Sequence, residues 1–339
     1  MPAQSGKPRP FAPICFAANN SSASGPQRLR PLQKTELPRV KLRLATPTPQ
    51  ELALTGVTAL WGGTFLVLHL AMQHSGPLFF VGVRFLMAAF MVACLAGKHM
   101  AGVTRREIRS GFIIGVALSV GYVFQSAGLQ FVSSSRSAFI TALYVPLVPL
   151  FQWAILRKPP HLMSWIGIGL AFAGLIALAG PEALNLTFSH GDLLTVLAAC
   201  AVASEIVLIS LFAQGVDSRR ITVCQLAGGG LFALLLMPVM GEHVPVFSWI
   251  WVACAAALGS LSALVQLVMN WAQKSVPPSK AAVIYAGEPV WGGLVGWIAG
   301  DQLPATTLLG AGLIVCGVLA SEMRPRWLVR KQQHLTENG

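Results

Sequence analysis

From Leu52 onward the chain alternates long apolar runs with short polar interruptions, and each run approaches the roughly 17–25 residues that a helix needs to cross a bilayer. Ten runs read as membrane-spanning helices, at Leu52–Met72, Leu78–Leu95, Gly111–Leu129, Ser137–Leu156, Leu162–Leu178, Leu193–Phe212, Ile221–Met240, Val246–Asn270, Ala281–Ala299 and Leu303–Ser321. The polar positions inside these runs are not scattered. Ser137, Thr141, Tyr144, Val148 and Gln152 recur at spacings of three or four and share one face of the fourth helix. Lipid does not tolerate such a face, so it should point into the bundle or into a water-filled cavity. Pro146 and Pro149 free backbone carbonyls in the same region and predict a helix break. The stripe has two readings, a ligand surface or a helix contact.

The pattern also repeats. At an offset of 143 positions, Pro146 meets Pro289, Gly167 meets Gly310, Gly169 meets Gly312 and Gly174 meets Gly317. At an offset of 141, Glu51 meets Asp192, Gln73 meets Gln214 and Arg84 meets Gln225. Proline and glycine in register mark places where a helix bends or its backbone is closely approached, so the architecture is duplicated and not merely the composition. Each half holds five crossings, and an odd number inserts the second half upside down relative to the first. The expected fold is therefore all-α, with ten transmembrane helices in two inverted five-helix repeats and a substrate near the midplane.

Composition agrees with a membrane protein. Hydrophobic residues make up 54% of the chain and charged ones 11%, against about 25% charged in soluble domains; the mean hydropathy is +0.65. A net charge of +12 would suggest nucleic acid in a soluble protein. Here all 24 Lys and Arg residues except Arg84 and Arg136 fall in segments on one side of the membrane, and no nucleic-acid partner is needed. The positive-inside rule then puts both termini in the cytoplasm. Residues 1–50 are rich in Pro, Ser, Arg and Lys with Glu36 as the only acid. They read as a disordered basic cytoplasmic tail or an early start site, with an organelle transit peptide as the alternative. Residues 323–339 form a second basic cytoplasmic tail.

Few groups inside the spans carry chemistry. Glu205 and Glu288 are the only carboxylates well inside predicted helices, where an unpaired ionised group costs about 2.5–3.5 kcal/mol. Burial lets such a group exchange protons near neutral pH, so each is a candidate for proton coupling; the competing reading is a structural hydrogen bond to Arg84, Gln225 or Gln266. Tyr285, Glu288, Gly292 and Gly296 line one stripe of the ninth helix. Arg84, in the second helix near the outer surface, either snorkels to the headgroups or turns inward as a charge partner. His69 reads as a packed or interfacial residue. Trp61 and Trp291 sit too deep for an interfacial belt and serve as cavity walls or core packing, whereas Trp249, Trp251 and Trp271 fit the belt. The six cysteines lack metal or redox spacing. Nothing matches a nucleophile elbow, a zinc-protease motif or a phosphate loop, which argues against an enzyme and gives no reason to expect a cofactor or metal.

The pieces LWGGTFL, VRFLMAA, LQFVSSSRSAFITALYVPLVPL, IGIGLAFAGLIAL, KAAVIYAGEPV and LLGAGLIVCGVL, in this order and spacing, resemble the two halves of an EamA-type permease of the drug/metabolite transporter superfamily. The resemblance covers Leu52 to Met323, with a first repeat at 51–180 and a second at 191–322. It implies a ten-helix carrier of the cytoplasmic membrane that exports small metabolites, amino acids or related amines fitting best, by alternating access. A channel-like pore is the alternative, and a membrane-embedded enzyme ranks below both. The implied cavity is lined by helices 1, 3 and 4 and their counterparts 6, 8 and 9, which makes Trp61, Thr64, Thr141, Tyr144, Gln152, Glu205, Tyr285 and Glu288 the substrate-facing candidates. Pro146, Pro149 and Pro289 are the helix breaks. The expected partners are a small-molecule substrate, the lipid bilayer and coupling protons, with the oligomeric state open. One departure stands out: turns that often carry Gly-Glu in the family read Arg157-Lys158 and Gly300-Asp301 here.

Overall fold

The computed structural model describes residues 47–62, 64–132, 134–157, 159–160, 162–179, 189–288, 290–291 and 305–322. Both expected basic tails, apart from the last residues before the first helix, lie outside them, as do Pro289, Gly292, Gly296, Gly300 and Asp301. In chain order the helices are α1 (Pro49–Trp61), α2 (Thr64–Met72), α3 (Pro77–Ala96), α4 (Arg105–Gly128), α5 (Ser134–Thr141), α6 (Tyr144–Leu156), α7 (Leu162–Ala179), α8 (His190–Phe212), α9 (Ser218–Met240), α10 (Trp249–Ala272), α11 (Pro278–Tyr285) and α12 (Ala305–Glu322). A 3-10 turn at Gly97–Gly102 joins α3 to α4. Among the described residues there is no strand, and six helical segments are long and apolar enough to cross a membrane. These are Pro77–Gly102, Arg105–Gly128, Phe139–Leu156 taken across its break, His190–Phe212, Ser218–Met240 and Trp249–Ala272; Leu162–Ala177 and Leu308–Ser321 are shorter apolar helices. The chain is an all-α, multi-pass membrane protein.

Local chemistry starts these helices where they start. Thr48 and Glu51 form a capping box on α1, Thr104 and Glu107 on α4, and Ser189 and Asp192 on α8. Each box satisfies N–H groups that a first turn leaves without partners. The repeat-matched pair Glu51 and Asp192 thus holds the same position in the first turn of two helices. Helix α3 lacks a cap of its own; Glu242, beyond α9, accepts from the Leu78 N–H at 3.0 Å and the Phe79 N–H at 2.7 Å.

Two expectations need correction, on the first span and on Pro149, and one is met, the break beside Pro146. The first predicted span is not one helix: α1 ends at Trp61 and Gly62 stands in a turn before α2. The fourth span breaks at Ala142–Leu143 into α5 and α6. Pro146 accounts for this, since its ring clashes with the carbonyl four residues back, on Ala142. Pro149, expected to break the helix as well, lies inside a continuous α6. A further break follows α11, at Ala286–Gly287. At the end of α6, Arg157 adopts a left-handed conformation with φ of 52°, at the turn where the family resemblance leads one to expect glycine.

Glycines set the closest packing. A Cβ on Gly167 would lie 2.6 Å from the Gly317 carbonyl oxygen, and one on Gly317 would lie 2.6 Å from that of Gly167. Likewise a Cβ on Gly174 would meet the Gly310 oxygen at 2.6 Å. Early α7 therefore meets late α12 and the reverse, so the two helices run antiparallel with their backbones in contact. The sequence repeat pairs Gly167 with Gly310 and Gly174 with Gly317, and the structure joins each to the other's match. That exchange is what a two-fold relation between equivalent helices produces. Gly169 and Gly312, the remaining matched pair, have open space around them.

Opposite halves are also tied by charge. Lys280, at the start of α11, pairs with Glu51 on α1, and Ser279 donates to Gln152 on α6 through its hydroxyl and, at 3.2 Å, through its N–H. Burial opposes ionisation of Glu51. The Lys280 ammonium and the Thr48 N–H and hydroxyl outweigh it and hold the carboxyl below its ordinary range.

Two predictions follow from this packing. Gly174→Val in detergent-purified protein should lower the thermal midpoint by an amount equivalent to roughly 1–3 kcal/mol of overpacking, while Gly169→Val leaves it near wild type; equal effects would mean that backbone contact does not hold α7 to α12. Because the folded Glu51 carboxyl binds its proton less readily than the unfolded one, its contribution is complete above the ordinary glutamate value of about 4.3 and fades as the pH falls through the lower folded value. Melting curves over an acid series should converge for wild type and Glu51→Gln at the acid end, and a constant gap between them would discount the ion pair.

Candidate functional site

The helix breaks converge on one region. Tyr285, the last residue of α11, packs against Trp61, the last of α1, with ring centroids 5.3 Å apart and planes at 57°. Gly287, in the break after α11, lies against α1: a Cβ there would be 3.9 Å from the Thr58 hydroxyl. Tyr144 opens α6 directly after the other break, is 5% exposed, and lies within electrostatic reach of Tyr285 and Glu288. Helix ends meet here because interrupted helices leave backbone groups without partners, and those groups are admissible at membrane depth only where protein or water surrounds them.

The charged groups differ in how they are held. Arg84 turns inward: it is 3% exposed, its Nε donates to Ser262 Oγ at 2.8 Å, and its Cζ sits 4.8 Å from the centroid of the Tyr122 ring. The snorkelling reading is therefore excluded. Glu205 on α8, 2% exposed, accepts from Gln225 Nε2 at 3.2 Å. Gln225 Nε2 also donates to Gln266 Oε1 at 2.9 Å, and Asn270 Nδ2 donates to Gln225 Oε1 at 2.6 Å. For Glu205 the structural hydrogen bond is thus real. Glu288 is different. It stands one residue beyond the Ala286–Gly287 break, half-buried, with no hydrogen-bond or ionic partner among the described residues. Tyr122 lies within electrostatic reach of Arg84, Glu205 and Glu288 together, so these four groups share one polar centre.

The remaining candidates separate. Thr141 accepts from Gln125 Nε2 at 3.4 Å and faces α4. Thr64 donates to the Trp61 carbonyl at 2.8 Å, which satisfies its hydroxyl at the α1–α2 break. Gln152 accepts from both donors of Ser279, at the start of α11, so this part of the stripe makes a helix contact. Trp291 is half-buried, and His69 is exposed, which removes the packed reading. Pro289 lies outside the described residues.

Sequence reading missed a second stripe. Ser262, Gln266 and Asn270 on α10 and Gln273 at its C-cap are spaced four, four and three apart, and all are buried. They serve Arg84, Gln225 and Tyr285 in turn, the last through a 2.9 Å bond from Gln273 Nε2 to the tyrosine hydroxyl. Polar spacing within an apolar run was the available signal, the same one that exposed the stripe of the fourth span. Tyr122 and Gln125 on α4, one helical turn apart, were missed as well.

The sequence matches the EamA-like transporter family twice, over residues 49–180 and 189–322. An uncharacterized transporter of Archaeoglobus fulgidus is 28% identical over 281 residues, 81% of this chain and 86% of the relative. YoaV of Bacillus subtilis, also named an uncharacterized transporter, is 26% identical over 79% of this chain and 94% of its own length. YedA of Escherichia coli, named an uncharacterized inner membrane transporter, is 26% identical over 79% and 88%. A crystal structure at 16% identity superposes with a TM-score of 0.65 over 80% of this chain and 96% of its own, a likeness of fold alone. With both matches falling on the helical bundle and leaving only the tails and one connection outside, the chain belongs to the EamA-like transporter family.

Proposed function

We propose that this membrane transporter is a secondary carrier of small zwitterionic or cationic metabolites, an exporter of amino acids or related amines, working by alternating access in the cytoplasmic (inner) membrane. It carries no enzymatic chemistry in this reading. Both termini face the cytoplasm, and ten helices form two inverted five-helix repeats at 51–180 and 191–322. The antiparallel contact of α7 with α12 through exchanged, repeat-matched glycines supports the inversion, and the inner-membrane name of YedA supports the location.

The observation that carries the substrate class is the Glu288 carboxylate, which is half-buried at a helix break and has no partner among the described residues, while Arg84 is buried within the same polar centre. A carboxylate at membrane depth is admissible when it is protonated or faces a cation. Glu288 therefore receives the ammonium group of the substrate or a coupling proton, and Arg84 favours a carboxylate at the other end. Trp61 and Tyr285 form an aromatic wall beside it, and Tyr144 and Thr141 complete the surface. Glu205, held by Gln225, positions its neighbours and does not touch substrate.

Proteoliposomes loaded with an amino-acid mixture test this reading. Accelerated exchange of labelled amino acid by unlabelled amino acid inside, saturable with concentration, is the expected result; flux that rises linearly without counterflow would assign a pore. Glu288→Gln should weaken apparent affinity roughly thirtyfold, the equivalent of about 2 kcal/mol for one side of a buried charge contact, and flatten the pH dependence of transport. Wild-type rates for Glu288→Gln across the pH series would remove Glu288 from the mechanism.

A further inference from the structure

Away from the polar centre, the start of α9, the end of α10 and the turn at Gly97–Gly102 border an open recess of about 600 Å³. Its apolar side is Leu267, Val268 and Trp271 on α10. Its polar side includes His99, Arg219 and Lys274. The neighbouring basic groups are occupied: Lys274 Nζ donates to the Val216 carbonyl at 2.6 Å, and Arg220 donates to the His99 and Gly102 carbonyls at 2.6 and 2.7 Å, with Glu107 at 3.9 Å. Arg219 is not held in this way. Its Nη1 lies 3.5 Å from both ring nitrogens of His99, which places the guanidinium across the imidazole, and among the described residues it has no carboxylate partner. The one acid of the recess, Asp217, uses its carboxylate to cap α9, accepting from the Arg219 N–H at 2.8 Å.

We propose that this recess binds the headgroup of an anionic phospholipid, with the phosphodiester on Arg219 beside His99 and an acyl chain along α10. The chemistry alone suits any phosphate: an arginine without a carboxylate presents planar donors that match phosphate oxygens. What selects a lipid is the strip that leads away from the cationic rim. Trp271, 42% exposed, and Leu264, 50% exposed, stand two helical turns apart on α10, with Leu267 and Val268 between them. An exposed apolar track leading from a basic recess fits a lipid tail below its headgroup and offers nothing to a free anion. The concentration of basic residues at this end of the bundle, Arg105, Arg106, Arg109, Arg219 and Arg220 among them, attracts the anionic leaflet as a whole; the recess adds a specific position.

Native mass spectrometry of the full chain, titrated with phosphatidylglycerol against phosphatidylcholine of the same acyl chains, tests the assignment. Wild type should retain one phosphatidylglycerol in preference to phosphatidylcholine. Arg219→Gln should weaken that retention roughly fivefold, the worth of about one basic residue at an anionic surface, Arg219→Lys should keep most of it, and Arg109→Gln, exposed at the same end outside the recess, should leave it unchanged. Unaltered melting of the Arg219→Gln protein separates loss of the site from loss of the fold. Equal loss in Arg109→Gln and Arg219→Gln would mean diffuse attraction and overturn the site. Displacement of the lipid by inorganic phosphate at comparable concentration would make the ligand a free anion and overturn the lipid.

Discussion

The constraint on which the rest of this structure depends is the absence of water from the bilayer core. A polar group placed there has only other protein groups to bond, and an unsatisfied one costs several kcal/mol. Helices satisfy their own backbones, so among the described residues the regular structure is helical, with no strand. Apolar side chains gain little by leaving lipid for protein, so the helices associate through close backbone approach and buried polar bonds. Both devices are visible. The glycines of α7 and α12 bring two backbones together, and the α10 ladder of Ser262, Gln266, Asn270 and Gln273 bonds across to α3, α9 and α11. Where the helices are interrupted, at Gly62, Ala142–Leu143 and Ala286–Gly287, Trp61, Tyr144 and Tyr285 lie at the edges of the breaks.

Much of this was legible in the sequence because the bilayer makes long-range rules local. Run length marked the helices, and the register of Pro146, Gly167 and Gly174 with the second half exposed the duplication. Two of the three glycine pairs marked where backbones touch, although not which glycine meets which, and the third, Gly169 and Gly312, faces open space. Glu205 and Glu288 were visible as the acids in the spans, because a charge in an apolar run always needs a partner or water.

What stayed hidden depends on rotation about helix axes and on how two halves interdigitate. Arg84 has one position in the sequence and two possible destinations, and the outcome rests on Ser262, 178 residues away. Gln152 shares a face with Thr141 and Tyr144, but nothing local showed that α6 would continue past Pro149 and bring Gln152 to Ser279 at the start of α11. The α1–α2 break gave a weak signal, since Gly62 and Gly63 are tolerated in spanning helices as often for packing as for interruption. The sequence offered Gln225 and Gln266 as partners for a buried glutamate but not which glutamate they would meet. Each is one glutamate in an apolar run, and only the approach of Gln225 from α9 makes one of them structural.

Gln225 also bears on how duplication would serve the proposed transport. It occupies the second-half position matched to Arg84, and both lie in the buried polar centre. At equivalent places one half has a cation bonded to α10, and the other has an amide bonded to α8 and α10. On the proposed inverted-repeat reading, a symmetric scaffold provides two conformations of similar energy, each half taking in turn the shape of the other. A substrate with distinct ends requires the reverse, a site whose two sides differ. The chain meets both demands by keeping proline and glycine in register while letting the polar residues between them diverge. Arg84, the buried cation, lies in the first half, and Glu288, the acid without a partner among the described residues, lies in the second. On the proposed carrier reading, reorientation with Glu288 ionised and unoccupied would leave a lone charge at membrane depth, so the protein is expected to reorient only when an ammonium group or a proton occupies it.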